Sequence, residues 1–206
     1  PQTSAKTLYE SRFYVVNSEF KVYICINNGS SPDFPDGRPS QFEPTFVDTA
    51  PQIAGDGSDG YLWKYLYTIA PADIVKFTTE KYMPVPPSWG DVNTAAVKDA
   101  AVRGHIETVI IKNRGTGYTA GTTTDIDILG DGTGGKVSIT VTDQEVSSIE
   151  VTDGGKDYTK GLINFTGAGG SGAEFEVIIP PKGGHGADIY RELGTYRVMV
   201  YSKYDA

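Results

Sequence analysis

The sequence predicts an all-β protein in which a small two-repeat β-domain is inserted into a β-sandwich-like host domain. Runs of aromatic and β-branched residues, which favour strands, recur along the 206-residue chain. The 25 glycines and 12 prolines favour many turns and disfavour long helices. A Gly-rich segment in the second half of the chain repeats itself, which separates the inserted domain from the host.

Three runs predict the strands of the host. Residues 13–16 and 20–26 are rich in aromatic and β-branched side chains and are separated by a short polar turn. Asn27-Asn28-Gly29 is a strong turn signal after the second run. Residues 61–69 form the densest aromatic run, and Lys64 is its only charged residue, which is typical of a buried strand.

The segment 28–60 predicts a long surface loop, because it is rich in proline, glycine, serine and aspartate and has little periodicity. It carries large apolar residues among the prolines: Phe34, Phe42, Phe46 and Ile53. A loop by itself has no core in which to bury them, and exposed aromatic side chains commonly anchor protein partners. We therefore expect these four residues to contact a neighbouring subunit.

The rest of the host predicts little helix. Residues 74–81 could hold a helical turn, and the prolines of 82–87 favour an extended segment. Residues 91–104 predict a short helix that Gly104 ends. Residues 196–204 alternate as a last strand.

An internal repeat covers residues 106–179. Ile106–Gly121 aligns with Val146–Gly161, and each copy continues into a strand, a Gly-rich turn and a second strand. The matched positions of the first copy are Ile106, Val109, Ile111, Gly115, Tyr118, Thr119 and Gly121. Two copies are too few for a solenoid. We therefore predict an inserted domain at 105–179, whose two units bury their apolar faces on each other, and a host formed by 1–104 with 180–206.

Composition narrows the choice of partners. A net charge of −8 repels phosphate backbones, so we expect no nucleic-acid partner. No stretch approaches the roughly 20 apolar residues of a membrane-spanning helix, so we expect no membrane association. Cys25 is the only cysteine and cannot form an internal disulfide; its apolar neighbours predict a buried thiol.

One glycine-rich segment has the spacing of a phosphate-binding loop up to its lysine. Residues 130–136 provide that spacing, but Val137 stands where a hydroxyl side chain should hold magnesium. A phosphate-binding loop opens a helix, whereas the residues that follow here alternate as a strand. The segment therefore predicts a turn and no nucleotide site.

Other sites are equally incomplete. Residues 169–174 resemble half of a calcium-binding nonapeptide in a single copy, and Glu176 stands where a large apolar residue belongs. Asp125, Asp127 and Asp131 could form an acidic cluster, but acids at such strand positions usually face solvent. His105 and His185 have no metal-ligand spacing around them, and no Gly-x-Ser-x-Gly elbow is present.

We accordingly expect no enzyme, no catalytic residues, no cofactor, no metal site and no small-molecule ligand. Paired carboxylates of a glycosidase stay open at the level of sequence, since any two acids could converge in the fold. The aromatic run 61–67 could also form a carbohydrate platform for attachment to a host surface. Its aromatic side chains would lie on both faces of a strand, which favours a core strand over such a platform.

Several motifs of the host segments resemble a known family. They are Lys21-Val22-Tyr23-Ile24-Cys25-Ile26, Asp59-Gly60-Tyr61-Leu62-Trp63-Lys64-Tyr65-Leu66-Tyr67-Thr68-Ile69, Glu80-Lys81-Tyr82-Met83-Pro84-Val85-Pro86, and Gly183-Gly184-His185-Gly186 with Glu192-Leu193-Gly194 and residues 196–201. In order and spacing they resemble the baseplate wedge family of T-even-like contractile-tailed bacteriophages, in a marine-phage-like form. The likeness covers roughly residues 8–90 and 180–206, and the repeat at 106–179 departs from it.

The resemblance implies a structural, all-β protein of the virion tail baseplate that is assembled in the cytoplasm of the host bacterium. It implies a homodimer that holds neighbouring baseplate wedge proteins together, without a cofactor. The chain begins at Pro1 rather than Met, and we expect it to be a fragment that lacks the family's first residues and its C-terminal tail.

Overall fold

The computed structural model describes residues 13–166, 169–195 and 197–203. Strands make up 38% of the structure and helices 9%, and the strands form several antiparallel sheets, which confirms the all-β prediction.

The host contains one four-stranded antiparallel sheet. Its strands are β1 (Tyr14–Val16), β2 (Lys21–Asn28), β3 (Gln52–Ile53) and β4 (Tyr61–Thr68), in the order β1-β2-β4-β3. The aromatic and β-branched runs therefore form strands as predicted. The long segment between β2 and β4 is loop apart from β3 and one isolated bridge between Ser31 and Phe34.

Both faces of this sheet are covered, although no second sheet packs on it among the described residues. One face buries Val22, Ile24, Ile26, Leu66, Tyr67, Ile69 and Ile189 beneath the segments that carry Met83, Val85 and Trp89. The other face buries Tyr23, Ala54 and Trp63 beneath the long loop. Loops and short helices thus supply the layers that a second sheet would supply in a sandwich.

The helices are α1 (Pro71–Phe77), α2 (Ala95–Asp99) and α3 (Ile189–Glu192). The predicted helical turn begins earlier than expected, because Pro71 occupies the first turn, where its missing N–H is not needed. The predicted helix at 91–104 contracts to α2, of which only Val97 is buried. No helix in the described part of the chain is long and apolar enough to span a membrane.

The prediction of a last strand at 196–204 is wrong for residues 197–203, which have no regular secondary structure. Tyr196 and Tyr204 lie outside the described residues. A strand requires a neighbour for its backbone groups, and no described sheet edge pairs with this segment.

The predicted insertion contains the remaining strands: β5 (Val109–Thr116), β6 (Gly121–Asp127), β7 (Leu129–Gly130), β8 (Thr133–Thr142), β9 (Glu145–Lys156), β10 (Gly161–Leu162) and β11 (Ser171–Val177). They form the sheets β6-β8-β9, β11-β5 and β10-β7, and no described host strand joins them. The first strand of each repeat pairs with the last strand of the other repeat, as β5 with β11 and β9 with β8.

Both repeats contribute to one apolar core. The first repeat supplies Ile106, Val109, Ile111, Tyr118, Ile128, Val137, Ile139 and Val141, and the second supplies Val146, Tyr158, Ile163 and Phe165. The prediction that the two units bury their apolar faces on each other is therefore confirmed. The separate domain at 105–179 stays a prediction.

Candidate functional site

The long loop 28–60 is held against the host sheet by polar contacts, two of which are made by Asp59. This side chain is 1% exposed, and its carboxylate accepts hydrogen bonds from the backbone N–H of Gln41 at 2.9 Å and of Tyr61 at 3.0 Å. The Tyr23 hydroxyl donates to the Phe46 carbonyl at 2.6 Å. The loop therefore has a defined course over the sheet.

The expectation that the loop has no core in which to bury its aromatic side chains is wrong for Phe42 and Phe46. Both are partly buried against the cluster of Tyr23, Ala54 and Trp63, and the Phe46 ring meets Tyr23 edge-on with centroids 5.3 Å apart. The sheet face beneath the loop supplies the apolar surface that sequence reasoning assigned to a neighbouring subunit.

Phe34 and Ile53 remain on the surface, 43% and 57% exposed. The Arg38 guanidinium lies 4.1 Å from the centre of the Phe34 ring, and Ile53 lies on β3, the outermost strand at one edge of the sheet. The structure does not gather the four candidate interface residues into one patch, and their contact with a partner stays a prediction.

A cleft of about 330 Å³ opens between β1 and the loop. Its apolar lining is Val15, Val16, Phe42, Pro44 and Trp63, and its polar lining is Asn17, Ser18, Ser40, Gln41 and Glu43. The motifs of the sequence did not indicate this cleft. Its walls come from two segments whose approach is set by the loop's packing, and only the polar turn between β1 and β2 was a signal near it.

The electrostatics of the cleft are set by Glu43. Its carboxylate accepts from the Ser18 hydroxyl at 2.7 Å and from the Ser18 backbone N–H at 2.6 Å, and these bonds hold the pKa of Glu43 below its usual range. The side-chain amide of Asn17 donates to the Pro44 carbonyl at 2.9 Å and joins the two walls. The cleft therefore has a mixed apolar and polar lining and a carboxylate that stays charged at neutral pH.

The His185 segment forms a structural junction. The His185 Nδ1 lies 2.5 Å from Glu192 Oε1, and the Gly186 N–H donates to Glu192 Oε2 at 2.7 Å. The Trp89 indole N–H donates to the Gly186 carbonyl at 2.8 Å. Both oxygens of the buried Glu192 carboxylate thus hold the loop against α3, and the Gly186 carbonyl joins the loop to Trp89.

The candidate phosphate loop is filled by the protein itself. A Cβ atom on Gly132 would lie 2.4 Å from Cγ of Tyr158, so this ring occupies the concave side of the turn. The Tyr158 hydroxyl accepts from the Gly135 N–H at 3.1 Å and donates to the Ile128 carbonyl at 2.8 Å. The turn's backbone therefore serves the inserted core.

The candidate acidic cluster has structural partners as well. Asp131 accepts from the hydroxyl and N–H of Thr159 and from the N–H of Lys160, and these bonds hold its pKa far below the usual range. Asp127 pairs with Lys136 at 3.2 Å on the surface. In the described ranges, no group of three or more His, Cys, Asp and Glu side chains is placed to hold a metal ion.

No protein-family model, curated protein or solved structure matches the chain. The likeness to the baseplate wedge family rests on the sequence motifs alone, and the function follows from them as a proposal.

Proposed function

We propose that the chain is a structural component of a bacteriophage tail baseplate wedge. In this proposal it belongs to the virion tail baseplate, is assembled in the cytoplasm of the host bacterium and works by contacts with a second copy of itself and with neighbouring wedge proteins. The observation that carries the proposal is that motif segments distant in sequence meet in one host core.

The aromatic strand and the proline-rich motif are joined inside the protein. The Tyr67 hydroxyl, on a side chain that is 2% exposed, donates to the Pro84 carbonyl at 3.0 Å. Such a bond satisfies two groups that would otherwise be buried without partners. The order and spacing of the two motifs therefore have a structural purpose.

The C-terminal motif joins the same core. Leu193 of this motif packs against the cluster formed by β2 and β4. Between the two parts of the motif, the Tyr190 hydroxyl donates to the Pro86 carbonyl at 2.8 Å and Ile189 is fully buried in the same cluster. Three of the motifs that carry the family resemblance thus build one scaffold.

The carbohydrate-platform alternative receives no support from the aromatic strand. Trp63 and Tyr67 are 3% and 2% exposed, and Tyr61 stacks on Trp63 at a centroid distance of 5.1 Å. A sugar ring needs an exposed aromatic face, but the aromatic side chains of this strand pack in or against the two cores of the host.

Immunogold electron microscopy of the virus particles whose genome encodes this chain tests the proposal. Antibodies against the purified chain should label the end of the tail that is distal to the head. Particles from a deletion of the gene, complemented in trans, provide the matched control. Labelling of the capsid alone, or normal tails in the uncomplemented deletion, would contradict the proposal.

A further inference from the structure

Residues 197–203 present two valines to solvent while alternate residues contact the body of the protein. Arg197 donates to the Tyr82 hydroxyl at 3.0 Å, and the Tyr201 ring lies edge-on to Phe77 at 6.5 Å. Between these anchors Val198 and Val200 are 90% and 85% exposed. This alternation is that of a strand with one face held and one face open.

Among the described residues, no backbone–backbone hydrogen bond involves residues 197–203. A β-prone segment whose backbone groups have no partner in that part of the chain is suited to join the edge of another sheet, where main-chain bonds provide affinity and side-chain pockets provide specificity.

The host sheet has a matching edge at β1. No described strand flanks β1 on the side away from β2, and Val16 is 39% exposed. The cleft lined by Val15, Val16 and Phe42 opens beside this edge. A strand added along β1 would place alternate side chains over the cleft.

The charges of the two segments also favour pairing of residues 197–203 with β1. Residues 197–203 carry Arg197 and Lys203 and no acid, in a chain whose net charge is −8. The cleft carries the Glu43 carboxylate, whereas Glu19 on the adjoining turn is already paired with Lys21 at 2.6 Å. A basic segment and a cleft that holds one carboxylate on the same chain favour association between two copies, since each copy offers both halves of the contact.

We propose that two copies of the chain associate by reciprocal strand addition, in which residues 197–203 of each copy pair along β1 of the other. Val198 and Val200 enter the cleft beside Phe42, and one basic end of the segment approaches Glu43. This inference rests on the homodimer in the proposed function and names the segments that form it.

Analytical ultracentrifugation of the whole chain at micromolar concentration tests the inference. The wild-type chain should sediment as a dimer, and Val198→Asp with Val200→Asp should weaken the dimer by about 100-fold or more, because two carboxylates would replace apolar side chains beside Val15, Val16 and Phe42 and near the Glu43 carboxylate. Val92→Asp is the matched control, since Val92 is 93% exposed and should leave the dimer intact.

A labelled peptide of residues 195–203 tests the receiving cleft directly. It should bind the full-length Val198→Asp, Val200→Asp chain, whose own cleft is intact, and a peptide with both valines replaced by aspartate should not. Glu43→Lys in that chain should reduce binding of the peptide by about tenfold.

The outcomes separate the two proposals. A wild-type monomer would overturn both the dimer and the strand addition, whereas a dimer that persists in the double valine variant, or a chain that does not bind the peptide, would overturn the strand addition alone. The immunogold labelling tests the place in the virion independently of either result.

Discussion

A buried ion pair shows how much a single residue contributes to this protein. Lys64 lies on β4 with 4% of its surface exposed, and its ammonium group lies 2.8 Å from the Glu107 carboxylate at the start of the insertion. In the sequence Lys64 is only the odd charge within an aromatic run. The structure supplies the partner that permits such a charge to be buried.

Replacing Glu107 with alanine should lower the free energy of unfolding by about 3–5 kcal/mol, because the lysine charge would remain buried without its partner. Glu176→Ala is the matched control: the Glu176–Lys112 pair is 3.4 Å long and about half exposed, and its loss should cost about 1 kcal/mol or less. Urea unfolding followed by circular dichroism measures both values. Equal effects of the two substitutions would contradict the assignment of the buried pair.

The Cys25 thiol should be unreactive in the folded protein. Burial, assisted by the nearby Asp59 carboxylate, raises the pKa of Cys25 to about 12. Because the thiolate is the nucleophile, alkylation by iodoacetamide at about pH 8 should be roughly 100-fold or more slower in the native chain than in urea.

The pH dependence of the alkylation rate shows the direction of the Cys25 pKa shift. A raised pKa keeps the native thiol protonated, so its alkylation rate should still be rising above about pH 9, where the rate for an ordinary thiol levels off. Mass spectrometry of timed samples measures both rates. A native rate that levels off at the same pH as the unfolded chain would show that the thiol is not shielded.

At the scale of elements, the two repeats use the same turn in the same way. The Tyr118 hydroxyl accepts from the Ala173 N–H at 3.2 Å, and the Tyr158 hydroxyl accepts from the Gly135 N–H at 3.1 Å. Each buried tyrosine is therefore hydrogen-bonded to the last strand of the other repeat. The repeated sequence positions therefore make the same contacts in both copies. These contacts include the close approach of neighbouring backbone to Gly115 and to Gly155.

Gly155→Ala should destabilise the inserted domain more than Gly117→Ala. Both glycines have positive φ, but a Cβ on Gly155 would lie 2.4 Å from the Gly135 nitrogen, whereas the nearest atom to a Cβ on Gly117 is 3.9 Å away. Gly117→Ala should cost about 1–2 kcal/mol for backbone strain alone, and Gly155→Ala should cost clearly more. Thermal unfolding compares the two, and similar melting temperatures would refute the close approach.

At the scale of the whole molecule, polar contacts join the host to the insertion while their apolar cores are separate clusters. Besides the Lys64–Glu107 pair, the Asn27 amide donates to the Thr108 hydroxyl at 3.0 Å. Arg114 pairs with Asp33 of the long loop at 2.7 Å. Within the described ranges, these bonds join residues 105–179 to the predicted host, and no cluster of buried apolar residues spans the two parts.

Residues 105–179 should accordingly fold as an isolated fragment, because every member of their core lies within them. Circular dichroism and a cooperative thermal transition measure this. An unfolded fragment would contradict the two-part organisation.

The complementary deletion of 106–179, closed by a short Gly/Ser loop, should leave a folded host if Lys64→Met is included. Without that substitution the deletion should be less stable by about 3–5 kcal/mol, since Lys64 would lose Glu107. A host that unfolds with the substitution present would show that the insertion supplies more than the polar contacts.

The sequence by itself determined the all-β class, the long strands of the host and the two-unit core. Those features depend on local composition and on repeated spacing: the run 61–69 is rich in aromatic residues, which favour a strand, and it forms β4. Tyr118 and Tyr158 were already paired by the alignment of the repeat.

Only the tertiary structure decided where exposed and buried surfaces lie. Phe42 and Phe46 are buried because the sheet face of Tyr23 and Trp63 is brought beneath them, and residues 197–203 are not a strand because no described edge reaches them. Burial and strand pairing depend on surfaces supplied by residues far away in the sequence, so a local pattern can state the propensity of a segment but not its partner.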